Sequence, residues 1–599
     1  MRYILSLILF CLSVGLNATN YYVKNGGSDA ANGLTDGTAW ANLTKVESYG
    51  ASPGFSPGDT IFLQRGSIWK DNLYIPNSGT SEGQITYTAY GDGELPIITG
   101  RGSVTGWSTP GNWTQVGATD VWYLSWAFGT STRPRIWLND TEVETAPNAA
   151  SVSSSLPHFF DGTAGRLYVY SPSPQTPADY YTTLEHSAAR NECVYLLRKD
   201  YITLSYLDMR GARTSCYIIE SSNVIVENCK IGADAQRYGV YVAYHSAAPH
   251  VSSDNGILRN NIIDSGYRFN NSWIYGDPYF CIDGVLFRYA NNWKVYGNTI
   301  VDWNHTQLAI EGLWSAYYVT NIEVYDNDLS CPSLNYGRGI GIDIMEGKGT
   351  GNKIHHNYIH DIATQNQING AGLEFYYNII NTVRGVTGYP AVGRGIYLSI
   401  YADDTYPSEQ KFYNNVIANC ANEGIRLANY HGDEGYFIED NEFVNNILFE
   451  NDTVNGYHIY IEVPTGPIEN KIKANTYKNN LIYSEGVTDL IYYRGSAMTV
   501  AEFNAENGNA YGEVITNNIG GDPLFVGAAD FNLQVLSPAI DAGVNVGLNA
   551  DYDYKIVPVN GIVDIGAYEY PGEATASDKF GTIGGKFAVD RNGRIMVIR

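Results

Sequence analysis

One short pattern recurs through the middle of this chain: an apolar residue, any two residues, an asparagine, any residue and a second apolar residue. It reads VYGNTI, VYDNDL, IHHNYI, FYYNII, FYNNVI and YKNNLI, and the recurring asparagines are Asn261, Asn298, Asn327, Asn357, Asn378, Asn415, Asn446 and Asn480. Successive gaps are 37, 29, 30, 21, 37, 31 and 34 residues. A unit repeated every ~20–50 residues that cannot bury its own apolar face buries it on its neighbours, which makes a solenoid. The segments between the asparagines are short, rich in β-branched and aromatic residues, and punctuated by Gly and Asn. Capped helical periodicity is missing over most of the region. The shortest gap, 21 residues, suffices for one coil of three short strands, and longer gaps insert loops at coil corners. The pattern predicts an all-β chain whose core is a parallel β-helix. The asparagines read as an amide ladder stacked at one corner rather than as catalytic groups.

Composition supports a large folded body. Of 599 residues 44% are hydrophobic and 17% charged, with 49 Tyr and 11 Trp, too apolar for disorder. Lys and Arg number 37 against 62 Asp and Glu, a net charge of −25. A surface that negative repels phosphate backbones and anionic membranes, so nucleic acid is an unexpected partner. An acidic polymer as ligand would require basic residues gathered locally. Residues 1–18 read as a signal peptide: Arg2, an apolar run from Ile4 to Leu16, and Ala18 as a small residue for cleavage. That run is short for a membrane span and no other long apolar stretch follows, so the expectation is a secreted, monomeric protein without a membrane span. Six cysteines remain after the leader, too few for a disulfide scaffold, and Cys193 and Cys216 read as occupants of neighbouring repeats, bonded or not.

The ends carry a family resemblance. YYVKNGGSDAANGLTDGTAWANL followed by GDTIFLQRGSIW resembles the opening of secreted right-handed parallel β-helix repeat proteins of the pectate-lyase-like superfamily. DPLF, DFNLQVLSPAIDAG and DIGAYEY resemble the close of that group in Bacteroidota-type bacteria. With the repeats, the resemblance covers roughly residues 20–570. It implies a right-handed parallel β-helix and polysaccharide-active relatives, but the superfamily also holds adhesins and tail spikes, so fold does not decide function. On this reading residues 19–105 are an N-terminal cap with the first coils and 189–570 the main β-helix. Between them, 106–188 is an inserted antiparallel β module, carrying alternating segments such as VWYLSW, RIWLNDTEV and GRLYVYSPS. Residues 571–599 are a tail of unassigned role.

The strands that follow the asparagine corners suggest a site. In GVYVAY, FCIDGV, LAIEGL, GIGIDI, GIYLSI, GIRLAN and HIYIEV, alternate apolar residues point inward. Aligning the inward Ile and Leu predicts one outward row of Ala243, Asp283, Glu311, Asp343, Asn369, Ser399, Ala428 and Glu462. Like charges stacked on neighbouring strands are destabilising, so Asp283, Glu311 and Asp343 in line need a proton, a cation or a function to offset them. A solvated acidic face is the bland explanation. The functional one is glycoside hydrolysis, with the three acids as proton donor and base. Polygalacturonase-like relatives invert with several Asp residues, which implies the inverting geometry, but their NTD, paired-Asp and RIK signatures are missing here and no role transfers residue by residue. Trp303, His305, Trp314, Tyr397, Tyr401, Tyr460 and Arg426 are candidate sugar-binding neighbours, since aromatic faces with polar tips suit sugar rings.

Two other readings use the same residues. In a calcium-dependent lyase acting on a uronate polymer, Asp283, Glu311 and Asp343 hold Ca²⁺ and Arg426 is the base, with Arg338, Lys348 and Arg394 nearby. A hydrolase needs no cofactor. A non-catalytic glycan-binding surface protein is the third reading, for which the ladder would be fully solvated.

Overall fold

The computed structural model describes residues 18–128, 134–245, 250–266, 282–312, 319–333, 338–346, 349–386, 392–400, 407–429, 437–453, 455–462, 471–559, 561–572, 587–589 and 595–597. Its body is a right-handed parallel β-helix of three long sheets, with 14, 13 and 13 strands among these residues. One coil illustrates the plan. Ile340–Glu346 lies in the first sheet, Lys353–His355 in the second and Tyr358–Ile362 in the third, before Gln365–Ile368 returns to the first.

The asparagines occupy the corner between the second and third sheets, each buried. At Asn327, the backbone N–H and Nδ2–H both donate to Oδ1 of Asn357, at 3.1 and 3.0 Å, and the Nδ2 also donates to the carbonyl of Val295 in the coil before. The arrangement repeats from Asn261 to Asn480 and runs on to Asn518, whose partner is Asn504. Most ladder asparagines follow a residue of positive φ, such as Asp326, His356 or Asn479, which makes the sharp corner. A second, shorter ladder of Gln410, Asn441 and Asn475 escaped the sequence pattern.

The interior is filled by like residues stacked coil on coil. Phe412, Phe443 and Tyr477 lie with ring centroids 4.8 and 5.2 Å apart and nearly parallel planes. Both ends of the stack are covered. Leu43 and Val46 of the helix Leu43–Ala51 are buried at the N-terminal end. At the other end the helix Val500–Ala505, held by a Thr499–Glu502 capping box, sets Phe503 against Tyr477 and Tyr493. The segment from 522 to 572 packs over the third sheet, where Phe531 and Ile565 meet Val416, Ile447 and Leu481. Within DIGAYEY, Gly566 has φ +101° and a Cβ there would sit 2.5 Å from Ile447 Cδ1, so both backbone and space demand glycine.

The insertion forms two four-stranded antiparallel sheets, one joining Gly102–Ser103, Leu184–His186, Ile136–Leu138 and Thr141–Val143, the other Trp113–Gln115, Val121–Ser125, Arg166–Tyr170 and His158–Asp161. They close on a core of Trp113, Trp126, Phe160 and Leu167. Cys193, Cys216, Cys229, Cys331 and Cys420 are free and buried. Residues 1–17, which hold nearly all of the expected leader, and most of the tail lie outside the described residues. Among the described residues no helix is long and apolar enough to cross a membrane.

Candidate active site

The first sheet carries the site. Its strands here are β1 (Glu192–Leu197), β2 (Thr214–Ile219), β3 (Tyr238–Ala243), β4 (Asp283–Phe287), β5 (Thr306–Gly312), β6 (Ile340–Glu346), β7 (Gln365–Ile368), β8 (Arg394–Ile400), β9 (Ile425–Asn429) and β10 (Ile459–Ile461). Inward residues such as Val285, Leu308 and Ile342 stack in the core, so Leu286, Ala309 and Asp343 point outward in one row.

The straight ladder of acids needs correction. Glu311 pairs with Met345, not with Asp343, and Asp343 lies between Ala309 and Gln367. Asp283 lies at the entry of β4, between Tyr238 and Thr306. For Glu311 the error is a two-residue slip along the strand, which keeps the face and moves the row, whereas Asp283 stands three residues before Leu286, the residue that shares the Asp343 row. Arg288, which follows β4, takes the place expected of Asp283 and grips Glu311, Nε donating to Oε2 at 2.9 Å with Nη2 2.8 Å from the same oxygen.

Asp283 and Asp343 still meet, because His305 spans the gap, while Glu311 stands with Arg288 and reaches Asp343 through its charge. His305 Nδ1 is 2.8 Å from Asp283 Oδ1, and its Nε2 is 4.0 Å from Asp343 Oδ2. Arg338, exposed at the entry of β6, places Nη1 3.2 Å from the same Nε2 and donates to it when the imidazole is neutral. Asp283 and Asp343 are 1% exposed and Glu311 9%, which is not a solvated acidic face. Asp343 Oδ1 is buried with no hydrogen-bond partner among the described residues. Burial pushes the Asp343 carboxyl up; the His305 charge opposes this, while those of Glu311 and Asp283 add to it, and the result is about 7. Burial alone would depress His305, but the hydrogen bond and charge of Asp283, with Asp343 beyond, hold it above its ordinary value.

The candidate sugar-binding residues separate. Trp303 is a correction: it is buried in the core, donates Nε1–H to the carbonyl of Ile263 at 3.1 Å and packs over Gly232, Gly239 and Gly284, so it offers no face to a ligand. A Cβ on Gly284 would meet Trp303 Cδ1 at 2.9 Å. Tyr397 shares the row of Asp343, with Gln367 between, but is 1% exposed beneath Arg394, whose guanidinium lies 4.6 Å from the ring. Arg426 follows in the row, bonded to Glu423 at 2.7 Å and lying 4.4 Å over Tyr460. Tyr460 in turn stacks on Tyr492. Trp314, Tyr401 and Lys348 lie outside the described residues. Alternation did point to Arg288, once Val285 and Phe287 are taken as the inward pair; no sequence signal joins Arg338 to His305.

The residues do not fit the calcium arrangement. Asp283 is taken by His305 and Glu311 by Arg288, so cationic side chains already stand at two of the three carboxyls, on three different rows. Among the described residues no group of three His, Cys, Asp or Glu could hold a metal ion. Arg426, held by Glu423 and Glu462, is no free base.

No protein-family model and no curated relative matches the sequence. Solved structures do. The complex of XylC with xylose aligns over 92% of this chain and 99% of its own, at 12% identity and a TM-score of 0.55. Pectate lyase Pel9A covers 93% at 12% identity with a TM-score of 0.40, and lacto-N-biosidase from Eubacterium ramulus covers 78% at 14% with 0.41. The fold is a right-handed parallel β-helix. At these identities the likeness extends to the fold and no further, so chemistry rests on the site itself.

Proposed function

We propose that the protein is an exported glycoside hydrolase that cleaves a polysaccharide in the groove over β4–β6. The observation that carries this is the Asp343 carboxyl, outward-facing yet buried, with an unpartnered Oδ1, set between the Asp283–His305 and Arg288–Glu311 pairs. Asp343 holds a proton near neutrality and donates it to the glycosidic oxygen as that bond breaks. Both Arg288 contacts fall on Glu311 Oε2, which leaves Oε1 to take a proton from the attacking water. One strand spacing and two residues separate Asp343 from Glu311, about 8 Å between Cα positions, and we take them as an inverting pair, which leaves room for a water between its carboxyls. His305, oriented by Asp283, steadies the Asp343 carboxylate left after transfer. A non-catalytic surface protein would have no use for a carboxyl kept dry in this way.

A second reading has one observation in its favour. His305, oriented by Asp283 and flanked by Arg338, is an imidazole beside a cation, the pair that a metal-independent lyase would need to neutralise a uronate and remove its proton. Digestion of a plant and algal polysaccharide panel decides. New reducing ends without the ultraviolet absorbance of unsaturated uronates establish the hydrolase; absorbance that appears with the reducing ends replaces it with the lyase. Full activity in both Asp343→Asn and Glu311→Gln sinks the assignment of the two acids.

A further inference from the structure

The chain carries far more acid than base, yet arginines collect along one edge of the first sheet. Arg190, Arg213 and Arg237 stand at the entries of β1, β2 and β3, joined by backbone bonds from Arg213 N–H to Arg190 O and from Arg237 N–H to Arg213 O, at 3.3 and 2.9 Å. Asp283 N–H donates to Arg237 O, which continues the column into the site, and His305 and Arg338 occupy the entries of β5 and β6. Arg338 makes no ion pair with a carboxylate among the described residues; its guanidinium contact is His305. Arg213 likewise forms no ion pair there, although its charge reaches Glu192. Arg190 is paired with Asp71 at 3.5 Å, and further along the sheet Arg288 is matched by Glu311, Arg394 by Glu423, and Arg426 by Glu423 and Glu462. The acids of the site are matched too, Asp283 by His305 and Glu311 by Arg288. Arg213 and Arg338 thus stand at this edge outside any ion pair among the described residues, in a molecule whose net charge is −25.

We propose that this arginine edge reads anionic groups on the substrate: the polymer bears carboxylates or sulfates, one contacted by Arg338 beside the reacting sugar and others by the edge around Arg213. A guanidinium offers paired donors that match either group. Arg213 and Arg338 are four strands apart, about 19 Å at the spacing of neighbouring strands. Both are therefore engaged by a chain of several sugars and not by one. The inference rests on the glycan-cleaving reading of the groove and adds the charge of the substrate to it.

The test is affinity electrophoresis of the full protein carrying Asp343→Asn, so that the polymer survives the run. Gels contain polygalacturonate or alginate as carboxylate polymers, carrageenan as a sulfate polymer, or galactan, arabinan or xylan as neutral ones. The expected result is retardation by a carboxylate or a sulfate polymer, the arm identifying which, and its weakening at high salt. Adding Arg213→Gln or Arg338→Gln lowers the apparent affinity about tenfold for each guanidinium lost. The Arg→Lys pair recovers part of it, and unchanged melting temperatures exclude misfolding. Retardation by neutral polymers alone, retardation indifferent to both glutamine variants, or none at all overturns the proposal. A neutral polymer cleaved by the wild type would overturn it while leaving the hydrolase standing; wild type that yields neither reducing ends nor unsaturated products from any polymer would remove the hydrolase as well.

Discussion

Asp343 keeps its proton because its carboxylate form would be dry, unbonded at Oδ1 and close to two other acids. Asp343→Asn keeps the shape and removes the proton, so the turnover number should fall about 10²–10⁴-fold with little change in substrate affinity. The alkaline limb of the pH–rate profile should lie near 7. His305→Gln removes a charge that pulls the Asp343 value down, and should carry that limb to higher pH, a shift a merely structural histidine would not produce. Linkage gives a second readout. The folded protein binds this proton more tightly than the unfolded chain, so between the ordinary 3.8 and about 7 the stability of wild type relative to Asp343→Asn falls as pH rises, and levels off above that window. A flat difference across the window, read from melting temperatures, would contradict the assignment. At this scale the sequence was partly legible. Alternation placed Asp343 and Glu311 on the outer face, but it cannot fix position along a strand, and so it read as one straight row the acids that His305 and Arg288 hold separately. Trp303 was misplaced because a tryptophan beside small residues reads the same whether it faces solvent or fills the space over Gly239 and Gly284.

The coil is the element in which sequence and structure agree most closely, for a physical reason. Each ladder asparagine satisfies a backbone N–H in its neighbour, so the amide must recur at one corner in every coil and its period is written in the chain. Asn357→Ala should be costly. It strands the Asn327 N–H and takes the side-chain donor from the carbonyls of Val324 and His355 and from Oδ1 of Asn378, which keeps only the Asn357 backbone N–H, all at a buried corner. The expected loss is about 3 kcal/mol, and Asn357→Asp should be no milder, because a carboxylate oxygen would face the acceptors Val324 O, His355 O and Asn378 Oδ1. A thermal melt of the two variants checks this, and equal melting temperatures for wild type and Asn357→Ala would show that the ladder carries no stability. The second ladder through Gln410, Asn441 and Asn475 went unread because glutamine substitutes for asparagine at its first position and its run is short.

At the scale of the molecule the question is how parts that are not coils are held to the stack. The closing motif answers it with carboxylates that serve backbone. Glu569 accepts from the N–H groups of Val559 and Asp564, and Asp564 from those of Asp541 and Tyr570. The resemblance of DIGAYEY was visible in sequence; its purpose was not, since acceptors for loop amides leave no periodic trace. The inserted module is fastened differently. Arg135, 2% exposed, donates to the carbonyl of Ser265 in the β-helix at 2.7 Å and holds Glu142 of its own module at 2.6 and 2.7 Å, while Arg101 pairs with Asp234 nearby. One buried guanidinium thus ties a body with its own core to the coils. Arg135→Ala leaves Glu142 unpaired and the Ser265 carbonyl without this donor, at a cost of about 3–5 kcal/mol. Because the module has a separate core, that cost should appear as release of the module and not as collapse of the solenoid. Limited proteolysis of Arg135→Ala should then cut within 102–186 faster than in wild type while the coils beyond 189 stay resistant. Uniform cleavage of the whole chain would show instead that module and solenoid fold as one unit.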